Sequence, residues 1–150
     1  MENQYEVKIL KVVDGDTVDV DIDLGFGVTL KDERVRIMGI DTPESRTKDK
    51  VEKLFGKASK HRLESLLGEI AILKTQINKD GEDMKGKFGR VLGDFVTEDG
   101  RMATEVMIDE GHCVPYFGGS KEEVQAQHMK NRERLIAEGI VTQDQINEVS

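Results

Sequence analysis

Tryptophan is absent from this 150-residue chain, and cysteine, proline and tyrosine are scarce, with one Cys, two Pro and two Tyr. A lone Cys113 cannot close an internal disulfide, and without a C-x-x-C spacing both a zinc ribbon and a disulfide framework are excluded. No apolar run approaches the ~20 residues that a membrane helix requires. The amino terminus also lacks a charged start leading into a hydrophobic signal core. No membrane partner and a cytoplasmic location are therefore expected. Basic residues are outnumbered, 22 Lys and Arg against 30 acids for a net charge of −8. That balance argues against a general nucleic-acid binder, because phosphate contacts need Lys and Arg. The length suits a single domain over residues 1–150, large enough to bury a core without staples, and a monomer is expected.

The charge is unevenly spread. Residues 44–62 carry seven bases against three acids, and residues 74–90 carry five against three, whereas residues 97–150 carry eleven acids against five bases. A fold that brings the basic segments to one rim would create a local anion-attracting site on an acidic molecule.

Along the chain, Tyr5, Val7 and Ile9 alternate with polar residues in a strand reaching Val13. Val18, Val20, Ile22 and Leu24 alternate strictly with Asp19, Asp21 and Asp23, the period of a half-buried strand. A calcium-binding EF-hand loop starting at Asp19 is excluded, since Leu24 and Leu30 stand where glycine and a bidentate Glu are needed. Those aspartates read as a solvated strand face, while Asp16 shares the inward parity of Val18. After a Gly25-Phe26-Gly27 turn and a polar interruption at Lys31–Arg34, a third strand begins at Val35, giving an antiparallel meander.

Beyond Glu44 the composition is that of a surface loop. Helical spacing then holds from Gly56 to Leu67, with Gly68 as the stop. Strands are expected over Glu69–Asn78 and Val91–Val96, with a turn at Asp80–Asp83 between them. A short helix follows around Met102–Met107. Ser120-x-x-Glu123 reads as a capping box opening a helix to about Ala137, and Thr142-x-x-Gln145 opens a short final one.

Chemistry concentrates at two strand ends. Val35–Glu44, V-R-I-M-G-I-D-T-P-E, ends as a strand opening into a loop, because Pro43 cannot donate to a ladder and favours extended geometry before it. It delivers a guanidinium, two carboxylates and a hydroxyl to one place: Arg36 suits a phosphate, oxygen ligands a hard cation, and a free carboxylate a proton. Asp14-Gly15-Asp16-Thr17 joins two further strands through a D-G turn signal.

DGDT, then R-x-x-G-I-D-T-P-E, then Lys87-Phe88-Gly89-Arg90, in that order, resemble the signature of the staphylococcal-nuclease-like (thermonuclease) family. The resemblance covers about residues 5–137. It implies an α+β fold, a five-stranded OB-like barrel with about three helices, which the element order also suits. It further implies that Asp16 and Asp41, with the backbone carbonyl of Thr42, hold Ca2+. Glu44 would then be the general base, Arg36 and Arg90 would grip the scissile phosphate, and Lys87 and Tyr116 would bind nucleotide. Gly86 and Phe88 depart from the family pattern, which has Asp and Tyr there. The implied activity is calcium-dependent hydrolysis of DNA and RNA to 3′-phosphate ends. A second reading is a catalytically silent OB-like domain that binds nucleic acid or a protein partner.

Overall fold

The computed structural model describes residues 2–76, 90–116 and 120–150. Among these described residues seven strands and four helices follow in the order β1 (Glu2–Asp14), β2 (Thr17–Gly25), β3 (Val28–Ile37), β4 (Ile40–Asp41), α1 (Lys50–Leu67), β5 (Ile70–Gln76), β6 (Val91–Val96), α2 (Ala103–Asp109), β7 (Val114–Pro115), α3 (Lys121–Ala137) and α4 (Gln143–Val149). Five strands close into a barrel in the order β1-β2-β3-β6-β5, with β5 paired back onto β1. All barrel pairings are antiparallel except β3 with β6. This is the expected OB-like barrel. β4 and β7 form a separate two-stranded ribbon at its mouth.

Strand alternation builds the interior. Val18, Val20 and Ile22 of β2 meet Val35 and Ile37 of β3, Leu73 of β5 and Phe95 of β6 in one buried cluster, capped by Leu63 and Leu67 of α1. A second cluster of Phe55, Leu135 and Val141 joins α1 to the carboxy-terminal helices.

Two boundaries differ from expectation. The polar stretch Lys31–Arg34 does not interrupt β3, because the outer part of the β2–β3 hairpin is solvated and polar side chains there pair across the strands. Arg34 Nε donates to Asp19 Oδ1 at 2.8 Å, and the Asp32 amide donates to Asp21 at 2.9 Å. The α1 helix starts six residues before Gly56, at Lys50, with Asp49 accepting from the Val51 and Glu52 amides at 3.0 Å each. The four helices expected along the chain are all present among the described residues, against the about three that the family resemblance implies. At Ser120 the hydroxyl caps the Glu123 amide at 3.1 Å, while both arms of a capping box are present at Thr142 and Gln145. The Asp80–Asp83 turn lies outside the described residues.

Two glycines let α1 press against the barrel end. A Cβ on Gly15 would lie 2.1 Å from Ser59 Oγ, so Gly15 is required by the approach of the helix; its φ is not positive. A Cβ on Gly56 would lie 2.3 Å from the Glu44 carbonyl oxygen and 2.6 Å from the Ser45 amide. The Asp14–Thr17 turn and the Thr42–Ser45 loop thus rest on one helix.

Gly56→Ala tests that support. In an open helix the change would add ~1 kcal/mol of propensity, but against fixed backbone it should destabilise by about 1–3 kcal/mol. Urea unfolding checks this, and a gain in stability would show that the loop yields.

Candidate active site

The β1–β2 turn, the end of β3, the loop after β4 and the start of β6 converge on a cleft of about 760 Å3 lined by Asp14, Asp16, Arg36, Asp41, Thr42, Glu44 and Arg90, with Arg34 and Arg46 at its rims. The antiparallel register sets Thr17 opposite Arg36, which brings Asp16 and Arg36 together. The parallel pairing of Val35 with Val91 sets Arg90 at the same barrel end. Six of the eight residues singled out from the sequence therefore share one cleft. Lys87 lies outside the described residues. Tyr116 follows β7 with its amide donating to the Gly39 carbonyl at 2.9 Å; it is exposed and does not line the cleft.

Arg36 ties the turns together. Its guanidinium lies 3.3 Å from Asp16 Oδ2 and donates to the carbonyls of Ile37 and Ile40, the latter at 3.2 Å. Asp16 Oδ1 accepts from the Thr17 hydroxyl at 2.8 Å, and its carbonyl accepts from the Ile37 amide at 2.8 Å. Across the cleft, the Glu44 amide donates to Glu52 Oε2 of α1 at 3.0 Å. The Glu44 carboxylate itself is exposed and has no hydrogen bond or ion pair among the described residues. Asp14 accepts from the Ser45 hydroxyl and lies 3.6 Å from Arg46.

Two neighbours of the site escaped the reading of the sequence. His128, from the buried face of α3, lies with Nε2 2.7 Å from Asp41 Oδ2. A carboxylate only accepts, so Nε2 carries the proton. Its helical spacing with Leu135 marked the buried face, but only folding shows that a carboxylate waits there. Cys113, between α2 and β7, is buried. Burial pushes its thiol up to about 12, and Asp94, Asp16 and Asp41 push the same way.

Four carboxylates and four guanidiniums in one open cleft suit a cation and an anion held side by side. Among the described residues no group of three or more His, Cys, Asp or Glu side chains is placed to hold a metal. Asp16 and Asp41 are two of the four carboxylates that line the cleft, and Thr42 lines it beside them. Each carboxylate offers about four lone-pair directions, and the Thr17, Arg36 and His128 contacts leave some of them open. An all-oxygen set with few protein ligands fits a hard ion that keeps several waters.

Residues 34–138, more than half of the chain, match the family described as staphylococcal nuclease homologue. The chain belongs to that family. Among its curated relatives, the endonuclease YncB of Bacillus subtilis (strain 168) is 30% identical over 105 residues, 70% of this chain and 45% of that protein. The endonuclease YhcR of the same organism is 27% identical over 121 residues, 77% of this chain and 9% of that protein. An uncharacterized endonuclease of Escherichia coli is 27% identical over 109 residues, 73% of this chain and 60% of that protein. The chain spans less than two thirds of the length of each. The matched segment of this staphylococcal nuclease homologue holds Arg36, Asp41, Thr42, Glu44 and Arg90, whereas the Asp14–Thr17 turn precedes it.

The His128–Asp41 contact should contribute measurably to stability. His128→Leu is expected to cost about 1–2 kcal/mol, the range for a hydrogen bond to a charged group that can partly recover water. His128→Gln, whose amide nitrogen can reach the same oxygen, should retain most of it. Chemical denaturation of both variants checks the difference.

Cys113 gives a pH prediction. With the folded thiol near 12 against an ordinary value of 9.0, its contribution to stability is complete below pH 9 and falls as pH rises towards 12. Iodoacetamide at pH 8 should therefore leave the native protein unlabelled and modify Cys113 once denaturant is added. Rapid native labelling would place the thiol in solvent.

Proposed function

We propose that this staphylococcal nuclease homologue is a calcium-dependent nuclease that hydrolyses phosphodiester bonds of DNA and RNA, leaving 3′-phosphate ends. The observation that carries this reading is the convergence of Asp16, Arg36, Asp41, Thr42, Glu44 and Arg90 on one cleft from four separate segments. The endonuclease names of its relatives support the same reaction class.

Asp16, Asp41 and the Thr42 carbonyl would hold Ca2+, which supplies positive charge to the non-bridging phosphate oxygens. Arg36 is pre-oriented for the phosphate, because its contacts with Asp16 and the Ile37 and Ile40 carbonyls fix the guanidinium plane. Arg90 approaches from the β6 side and can follow the charge that develops in the transition state. Glu44, fixed through its amide yet free at its carboxylate, takes a proton from water as the water oxygen bonds to phosphorus. The P–O5′ bond breaks, the 5′ oxygen gains a proton, and the phosphate stays on the 3′ side. Lys87 and Tyr116 are assigned to nucleotide binding beyond the reacting phosphate.

A labelled oligonucleotide should be cut in Ca2+ and left intact after chelation. Glu44→Gln keeps the shape of the side chain but loses the proton acceptor, so kcat should fall ~100- to 10,000-fold while nucleotide affinity stays near that of the parent. Parental rates from Glu44→Gln would remove Glu44 as base. Full activity in Mg2+ alone would overturn the calcium assignment. No cleavage by the parent in Ca2+ would leave the silent binding domain as the reading.

A further inference from the structure

A second groove of about 510 Å3 opens beside the cleft and shares Arg46 with it. Its charged lining is Lys11 from β1, Arg46 and Lys48 from the loop before α1, and Lys53, Lys57 and Lys60 from α1, with no acidic residue among them. Lys53, Lys57 and Lys60 stand at i, i+4 and i+7, one face of the helix. On a chain of net charge −8 this is a marked segregation of charge.

The acids nearest in sequence do not neutralise it. Asp49 is committed to the Val51 and Glu52 amides at the start of α1, and Glu52 accepts the Glu44 amide. Asp14 meets Arg46 from the cleft side. None of the five lysines forms an ion pair among the described residues. Five ammonium groups gathered in one groove, none of them in an ion pair among the described residues, make it attractive to an anion. The groove is lined from β1, the loop before α1 and α1 itself and meets the cleft at Arg46, so its occupant should be a chain of phosphates and not an isolated ion.

We infer that this lysine groove is a backbone-binding track for a single polynucleotide strand, which runs from the cleft past Arg46 and along the lysine face of α1. The inference rests on the nuclease reading only for the direction of the strand. Its contacts are to phosphates, shared by DNA and RNA. The track therefore makes affinity grow with strand length and fall with salt, and it favours long strands over short fragments.

The test measures binding of fluorescein-labelled dT12 and U12, and of the dinucleotides, to the full chain in chelator, where no turnover occurs, over a series of salt concentrations. The parent should bind both 12-mers at least about tenfold more tightly than the dinucleotides. Each phosphate neutralised contributes a slope of about −0.7 in log affinity against log salt. Lys53→Gln/Lys57→Gln/Lys60→Gln, with its fold checked by circular dichroism, should therefore lose about 2 from that slope and most of the length dependence. Lys121→Gln/Lys130→Gln, on α3, should lose neither. Equal losses from the two variants would mean that only net charge matters and would overturn the track. So would parental binding of 12-mers no tighter than that of dinucleotides, or binding of the parent to phosphatidylserine vesicles but not to 12-mers. Cleavage without length-dependent binding would sink the track and keep the nuclease. Length-dependent binding lost with the α1 lysines, without cleavage in Ca2+, would keep the track and sink the nuclease.

Discussion

The close approach of α1 to the barrel end is the constraint on which the site depends. Ser59 occupies the space a Cβ on Gly15 would need, and Gly56 lets the Glu44–Ser45 backbone lie directly on the helix. The turn that carries Asp16 and the loop that carries Glu44 are also joined directly, through the Ser45 and Arg46 contacts with Asp14. Both also rest on α1, so the three segments form one surface. Arg36 fastens the same surface from the other side, through Asp16 and the carbonyls around the β3–β4 turn. The proposed reaction, with an ion, a phosphate and a water in fixed relation, would need such support, because small displacements weaken every short-range electrostatic contact.

Charge is handled by segregation and not by net balance. On the β2–β3 hairpin Asp19 pairs with Arg34 and Asp21 with Lys31, so much of the acidic face is locally compensated and the Arg34 guanidinium is held more firmly protonated by Asp19. Around α2, Glu110 pairs with Arg62, and that guanidinium holds its carboxyl below the usual range. Opposite charges therefore neutralise each other away from the cleft. Within the cleft Asp16 meets Arg36 and Asp14 meets Arg46, while the groove beside it is lined by lysines and no acid. A molecule with net charge −8 can in this way present a surface suited to polyanions.

Much of the barrel was legible in the residues. Alternation in Val18–Ile22 marked the inward face of β2, and Pro43 marked where the chain leaves its strand, because both signals act within a few residues. The start of α1 was missed although Val51, Leu54, Phe55 and Ala58 stand at helical spacing, because the charged residues among them read as a loop; that face packs against Leu135, Ile136 and Val141. Continuity of β3 through Lys31–Arg34 was missed for a related reason: solvated ladder positions accept polar residues when cross-strand partners are present. The D-G of the first motif was read as a turn signal, whereas its glycine answers to a helix more than forty residues away.

By itself the sequence determined the strand faces, the loops that end them and the set of side chains able to bind a phosphate and a hard ion, because periodicity and motif order are local properties of the chain. Tertiary structure alone decided which distant groups meet. It brought Arg90 to the same cleft as Arg36 through the parallel β3–β6 pairing and seated His128 on Asp41, eighty-seven residues away. It also gathered Lys11 with the lysines of α1 into one groove. Such meetings follow from barrel closure and helix docking, which depend on the packing of the whole core and leave no mark at any single position.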